Sequence, residues 1–315
     1  MLHLRLITPA GQTEEAVRLI EGTRGTTHLC VLAGAARDPA GDVVLCDVAR
    51  EAADDLLSGL QRLGLDTTGS IAVESVDLSL SERADRAEKE APGEGADAVL
   101  WEHLTEATHE ESTLSVTYLS FLTLATMIAA CGVVLDNAVL IVGAMAVGPE
   151  FGPLAGISTA TVQRRPRLAM RSLIALLVGF AVAMLLTVGF SLFMDAVGLF
   201  SKEQLEGERP QTGFVYAPDW FSFVVAVLAG AAGTLSLTSA KSGALVGVAI
   251  SVTTVPAAAN AAVALSYGDT VQTWGSTEQL LLNLLGITLA GTLTLLTQKR
   301  LWRKQHARLR RRAAV

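Results

Sequence analysis

Cysteine is nearly missing: three residues in 315, Cys30, Cys46 and Cys131, with no CxxC pair among them. An odd count at unpaired spacing argues against a disulfide framework. The simplest reading makes Cys30 and Cys46 reduced core thiols on neighbouring strands. The common signatures of catalysis are missing too. There is no Gly-rich phosphate loop or nucleotide fingerprint, and no GxSG serine, GxGD aspartate or HExxH zinc motif. His103 and His109 stand among Glu102, Glu106, Glu110 and Glu111, but at a spacing too loose for a ligand set on what reads as a solvated helix. The expectation is therefore no enzyme, no metal and no cofactor. Met1 to Leu6 lacks the basic start, apolar core and small-residue cleavage site of a secretory signal, so the amino-terminal region is expected to stay in the cytosol.

Basic charge is scarce in the first third. Met1 to Thr113 holds 9 Lys and Arg against 22 Asp and Glu, whereas Leu114 to Val315 holds 15 against 9. The whole chain is 50% hydrophobic and 17% charged, but those averages merge two different polymers. A charge asymmetry of this kind marks a domain boundary. It divides the chain into a soluble domain (1–80), an acidic linker with a pre-membrane helix (81–113), a membrane domain (114–298) and a basic tail (299–315). So many carboxylates exclude nucleic acid as a partner of the first part.

In the soluble part, Leu2, Leu4 and Leu6 alternate with polar residues, and Glu14 to Glu21 puts Val17 and Ile20 on one helical face. Thr26–Gly34 and Val43–Val48 read as hairpin strands about the turn Asp38-Pro39-Ala40-Gly41-Asp42. Ala53, Leu56, Leu57, Leu60 and Leu63 repeat at helical spacing before a capping Gly64, and Ser70 to Leu78 reads as a last strand. The order β-α-β-β-α-β predicts a ferredoxin-like α+β sandwich, a fold that discloses no function by itself. Ser81 to Asp97 reads as a charged linker and Ala98 to Glu111 as a helix along the membrane face.

A spanning helix needs roughly 20 mostly apolar residues. Six stretches are predicted as spans: Leu114–Leu135, Ala138–Val162, Leu168–Met194, Phe221–Ser239, Gly243–Leu265 and Glu278–Gln298. With the amino terminus inside, Arg164, Arg165, Arg167, Lys241 and the tail from Lys299 all fall on the cytoplasmic side. The opposite loops hold only Lys202 and Arg209, which agrees with the positive-inside rule. Lys299, Arg300, Arg303 and Lys304 read as an anchor to anionic lipid heads. Small-xxx-small pairs, Ala226 with Gly230, Ala229 with Gly233 and Gly286 with Ala290, suit a tight bundle or a homo-oligomer, and Asn283 is expected to hydrogen-bond another helix.

Two spans carry unusual chemistry. In the second, Gly148-Pro149-Glu150-Phe151-Gly152-Pro153 is predicted to break the helix in mid-membrane and to strip carbonyls around Met145 of partners. In the fifth, Pro256 does the same to Val252, flanked by Thr253, Thr254 and Asn260. Each break sits in the second helix of a three-helix unit and follows a similar run, Val142-Gly143-Ala144 or Val246-Gly247-Val248. That is the plan of two inverted repeats, in which paired broken helices form the site. Glu150 is the one acidic residue deep within a predicted span. An intramembrane carboxylate is a candidate proton carrier, cation ligand or partner of a base such as Arg171. The plainer alternatives are a harmless proline kink and a re-entrant turn that leaves Glu150 in water.

Trp101-Glu102, then Ile141-Val142-Gly143-Ala144-Met145 leading into Gly148 to Pro153, and the run Ala240-Lys241-Ser242 to Pro256, resemble the family catalogued as domain of unknown function 389. The resemblance extends over about Ala98 to Gln298. In the family's commoner wording an apolar residue follows the first proline, where this chain has Glu150. The resemblance implies a multi-pass architecture and no substrate. The expected function is a transporter or channel of the bacterial inner membrane for a small solute or ion, regulated by its cytosolic domain. The alternative is a non-transporting sensor or scaffold.

Overall fold

The computed structural model describes residues 1–76, 78–91, 99–217, 219–239 and 253–313, with side chains described as far as Trp302. It divides into two compact units, Met1–His103 with Arg300–Val315, and Leu104–Lys299.

The first unit holds a small antiparallel sheet. Strands β1 (Leu2–Thr8), β2 (Thr26–Arg37), β3 (Ala40–Val48) and β4 (Ser70–Ser75) lie in the order β2-β3-β1-β4, every neighbouring pair antiparallel. Helices α1 (Thr13–Glu21) and α2 (Arg50–Arg62) supply the expected β-α-β-β-α-β order, and a single turn, α3 (Leu65–Thr68), is added before β4. The period of two in β1 turns Leu2, Leu4 and Leu6 to one face, where they are buried with Val44, Cys46, Ile20, Leu56 and Leu60. Gly64 follows α2 at φ 76°, the left-handed conformation that a helix stop favours in glycine. The cysteines correct one expectation. Cys30 pairs in register with Leu45 and is exposed, so only Cys46 is a core thiol.

The other face carries a polar knot. Asp47 accepts from Nδ1 of His3 and Nδ1 of His28, each at 2.7 Å, while Nε2 of His28 lies 3.0 Å from the Ser81 hydroxyl. Ser81 in turn accepts from the Ala84 amide and opens α4 (Glu82–Glu90). Here the linker reading is corrected: α4 packs against β2 and β3 and buries Ala84 and Ala87, so the start of the linker belongs to the sheet. Burial raises the Asp47 carboxyl, but hydrogen bonds and charge from His3 and His28 outweigh it and leave it below the usual range. Its contribution to stability is therefore present above ~4, the unfolded value, and is lost as pH falls through the lowered folded value. Asp47→Asn is expected to remove that acid-dependent part. Amide exchange of β3 in the full chain, followed from roughly pH 6 down to pH 3, checks it.

The second unit is helical. It comprises α5 (Trp101–Glu111, which begins in the first unit), α6 (Val116–Val134), α7 (Ala138–Val147), α8 (Phe151–Gln163), α9 (Pro166–Ala196), α10 (Lys202–Glu206), a 3₁₀ turn (Gly213–Tyr216), α11 (Trp220–Thr238), α12 (Thr254–Ser266) and α13 (Thr270–Ala313). Starts follow local chemistry. The Ser115, Asn137 and Asp219 side chains accept the free amides of α6, α7 and α11, and Pro166 occupies the first turn of α9.

Among the described residues four helices are long and apolar enough to cross a membrane: α6, α9, α11 and α13 as far as Trp302. The pair α7 and α8, bent by 51°, is either a broken span, which brings the number to five, or a re-entrant loop. The expected fifth span, Gly243–Leu265, is not found as such among the described residues. Its described part, α12, has 13 residues and is about 20 Å long against a hydrocarbon layer of about 30 Å. Residues 240–252, including Val246-Gly247-Val248 and Lys241, lie outside the described residues. The sixth predicted stretch starts earlier than expected, at Thr270, and the basic tail continues the helix α13 to Ala313.

Apolar residues cover the outside as well as the inside. Leu185, Phe221, Leu228, Leu289 and Leu293 are all more than half exposed, an arrangement that suits lipid rather than water. The interior is built from small residues. Ala257, Ala258, Ala259, Ala261 and Ala262 of α12 are fully buried, and α12 packs against α6, α7 and α9. Gly286 lies against Ala226, and Gly230 lies against the backbone of Ile287 and the methyl of Ala290. Two of the small-xxx-small motifs thus meet each other within the chain.

Candidate binding site at a broken span

Helix α7 ends at Val147 because Gly148, the residue before Pro149, takes an extended conformation (ψ 129°). Glu150 then starts α8, with Pro153 as its third helical residue. An amide in the first turn has no partner inside the helix, so Pro153 costs the helix nothing there. The same holds for Pro256, third in α12 after Thr253. Neither proline interrupts a helix interior among the described residues, and the carbonyl of Val252 lies outside them. Each instead sets the start of a 13-residue helix.

Those two starts meet. Glu150 is 5% exposed and its Oε1 accepts from the Thr254 hydroxyl at 2.6 Å. Thr253 Oγ1 accepts from Nδ2 of Asn283 at 3.0 Å and Nε2 of Gln279 at 3.4 Å, both on α13. Of the eight buried side-chain atoms with no hydrogen-bond partner among the described residues, two lie here: Oε2 of Glu150 and Oε1 of Gln279. Gln279 Oε1 can only accept, and so can Oε2 of Glu150 while the carboxylate is ionised. What they lack is a donor, and the chemistry that supplies one is a proton, an N–H or a cation. The amino ends of α8 and α12 add their positive dipole ends, which favour negative charge on Glu150.

Of the residues singled out by sequence, Gly148, Pro149, Glu150, Phe151, Gly152 and Pro153 form one break, joined by Thr253 and Thr254, with Pro256 behind them. Asn260 does not join. Seven residues along α12, it accepts from Arg209 Nη1 at 2.8 Å and donates to Ser276 at 2.8 Å. Arg209, expected in a loop on the side opposite the cytosol, is 7% exposed. It also donates to the Gln272 side-chain oxygen and lies over the Tyr216 ring, 4.8 Å from its centroid. Arg171 donates to His109 and Thr113 rather than to Glu150. Lys299 donates to the Val162 carbonyl near the end of α8, and Arg300 is exposed; the side chains of Arg303 and Lys304 lie outside the described residues.

Sequence reasoning missed Gln272, Ser276 and Gln279. Together with Asn283 they recur at steps of four, three and four residues, one face of a helix. All four are buried, and they form a polar stripe down α13 with Arg209 at one end and Glu150 at the other. That spacing was present in the sequence as a signal.

Residues 145–289 match the family described as Domain of unknown function (DUF389). The family resemblance thus holds over the break, the start of α12 and most of the stripe, while Trp101-Glu102 and Ile141 to Ala144 precede the matched residues. The uncharacterized protein MJ0678 of Methanocaldococcus jannaschii is 24% identical over 225 residues, 70% of this chain and 68% of that one. No solved structure matches.

Proposed function

We propose that this chain, whose residues 145–289 form a DUF389 domain, is a multi-pass protein of the inner membrane that moves a small solute or ion. Both termini face the cytosol, as the distribution of Lys and Arg between loops supports, and the amino-terminal β-α-β-β-α-β domain regulates the movement. The observation that carries the reading is the meeting of two short-helix starts at a buried carboxylate with a free acceptor atom. Paired breaks of this kind line the sites of transporters built from inverted repeats. The equal lengths of α8 and α12, each with proline third, support such a repeat. The stripe from Glu150 to Arg209 supplies polar groups along the route. Arg209 holds its far end closed and acts as an electrostatic barrier to cations until it moves.

The near-complete burial of Glu150 favours a second reading, a sensor or scaffold with a dry bundle. Flux separates the two. Full-length protein in proteoliposomes is expected to carry a pH or ion signal that empty vesicles lack. A silent result across protons, alkali cations and small organic ions would leave the sensor reading in place.

A further inference from the structure

A cavity of about 380 Å³ opens beside the break. Its lining brings together Glu110 and Glu111 from the end of α5, Tyr118 and Phe121 from α6, and Gly148 and Phe151 from the break itself. We propose that this cavity binds a small organic cation of the alkylammonium class and is the position from which that cation reaches Glu150; the second half rests on the transport reading, the first does not.

The lining chemistry carries the assignment. Two carboxylates face the space, and it is lined by no lysine or arginine among the described residues. Three aromatic side chains gather there in a chain only 5% aromatic. Carboxylates fix an ammonium head by charge-assisted hydrogen bonds, and ring faces attract a cation that has shed part of its water. The rest of the wall sets the apolar surfaces of Pro149 and Ala146 beside the hydroxyls of Thr113, Ser115 and Thr117. The apolar part offers a place to an alkyl stem, which an inorganic cation lacks, and the hydroxyls can accept from the ammonium head.

The Glu111 carboxyl is held above the usual range, first by the desolvation its packing imposes and then by the charge of Glu110. A bound cation would relieve that repulsion. Glu111 also lies directly on Gly152, where an added Cβ would come within 2.6 Å of its own Cβ. The glycine is what lets the carboxylate stand at the break.

The floor of the cavity supplies the independent observation. A Cβ on Gly148 would stand 2.3 Å from Oε2 of Glu150, the buried acceptor without a partner. One glycine therefore separates the cavity from the atom that lacks a donor. An ammonium carries the N–H that this oxygen needs.

The test is binding, read apart from transport. Purified full-length protein in nanodiscs is titrated with butylammonium, with 1-butanol as the neutral counterpart and sodium as the inorganic one. Melting temperature and ligand-observed NMR report the binding. Butylammonium is expected to bind, with butanol and sodium failing to compete. Phe121→Leu and Glu111→Gln are each expected to weaken it about fivefold or more; Phe121 is half exposed, so its replacement leaves the fold intact. Equal binding of butanol, or both variants within twofold of the parent, overturns the assignment. Binding without flux upholds the cavity and sinks the transport reading. Flux of another solute with no butylammonium binding does the reverse.

Discussion

Glu150→Gln is expected to abolish flux through the reconstituted protein while leaving its melting temperature within a few degrees of the parent. The amide is nearly isosteric. Its oxygen can still accept from Thr254, and its nitrogen takes the place of the unpartnered Oε2. What the variant loses is charge and the capacity to bind and release a proton or to neutralise a cation. Burial of an unpaired carboxylate is costly, so the substitution relieves strain on stability as it removes function. Stable protein with flux reduced at least about a hundredfold is the expected pair of readings, because the carboxylate would act directly on the moving species. Flux within twofold of the parent would show that Glu150 is a passive part of the break.

Gly230→Val is expected to have the opposite profile, a large loss of stability whatever the protein does. A Cβ at Gly230 would meet the Ile287 carbonyl at 2.6 Å and its Cα at 2.7 Å. Both are backbone atoms that cannot turn aside, so α11 and α13 must separate. The separation also disturbs the next contact along α13, where Gly291 sits against Thr234 and Ser158. Overpacking of this kind costs about 1–3 kcal/mol, or more where nothing relaxes, roughly 2–12 °C in a unit of this size. Gly189→Val is the control. Gly189 lies on the exposed face of α9 with nothing near its Cβ position, and its melting temperature is expected to stay within about 2 °C.

Different features were legible in the sequence to different depths. Leu2, Leu4 and Leu6 announced β1 because burial of one sheet face imposes a period of two. Gly148 to Pro153 announced the break because an extended residue before proline ends a helix on steric grounds alone. The partners across the break were harder, since they depend on helix phase and depth together. Thr254 and Asn260 lie near the same short segment, yet six residues of rise separate them by about 9 Å. One therefore reaches Glu150 and the other Arg209. Glu82 to Glu90 read as linker because nine residues rich in charge hid the two alanines, Ala84 and Ala87, that dock it. Arg209 read as a residue of a loop opposite the cytosol, among acidic and polar neighbours in sequence. Nothing local says that the loop folds back onto α12 and α13.

That fold-back gives the protein a built-in reporter. A loop arginine whose guanidinium grips two amides inside the bundle is shielded from an arginine-selective dicarbonyl reagent such as phenylglyoxal for as long as the grip lasts. The rate at which Arg209 is modified, timed against that of the exposed Arg18, becomes a clock for how often that end of the bundle breathes.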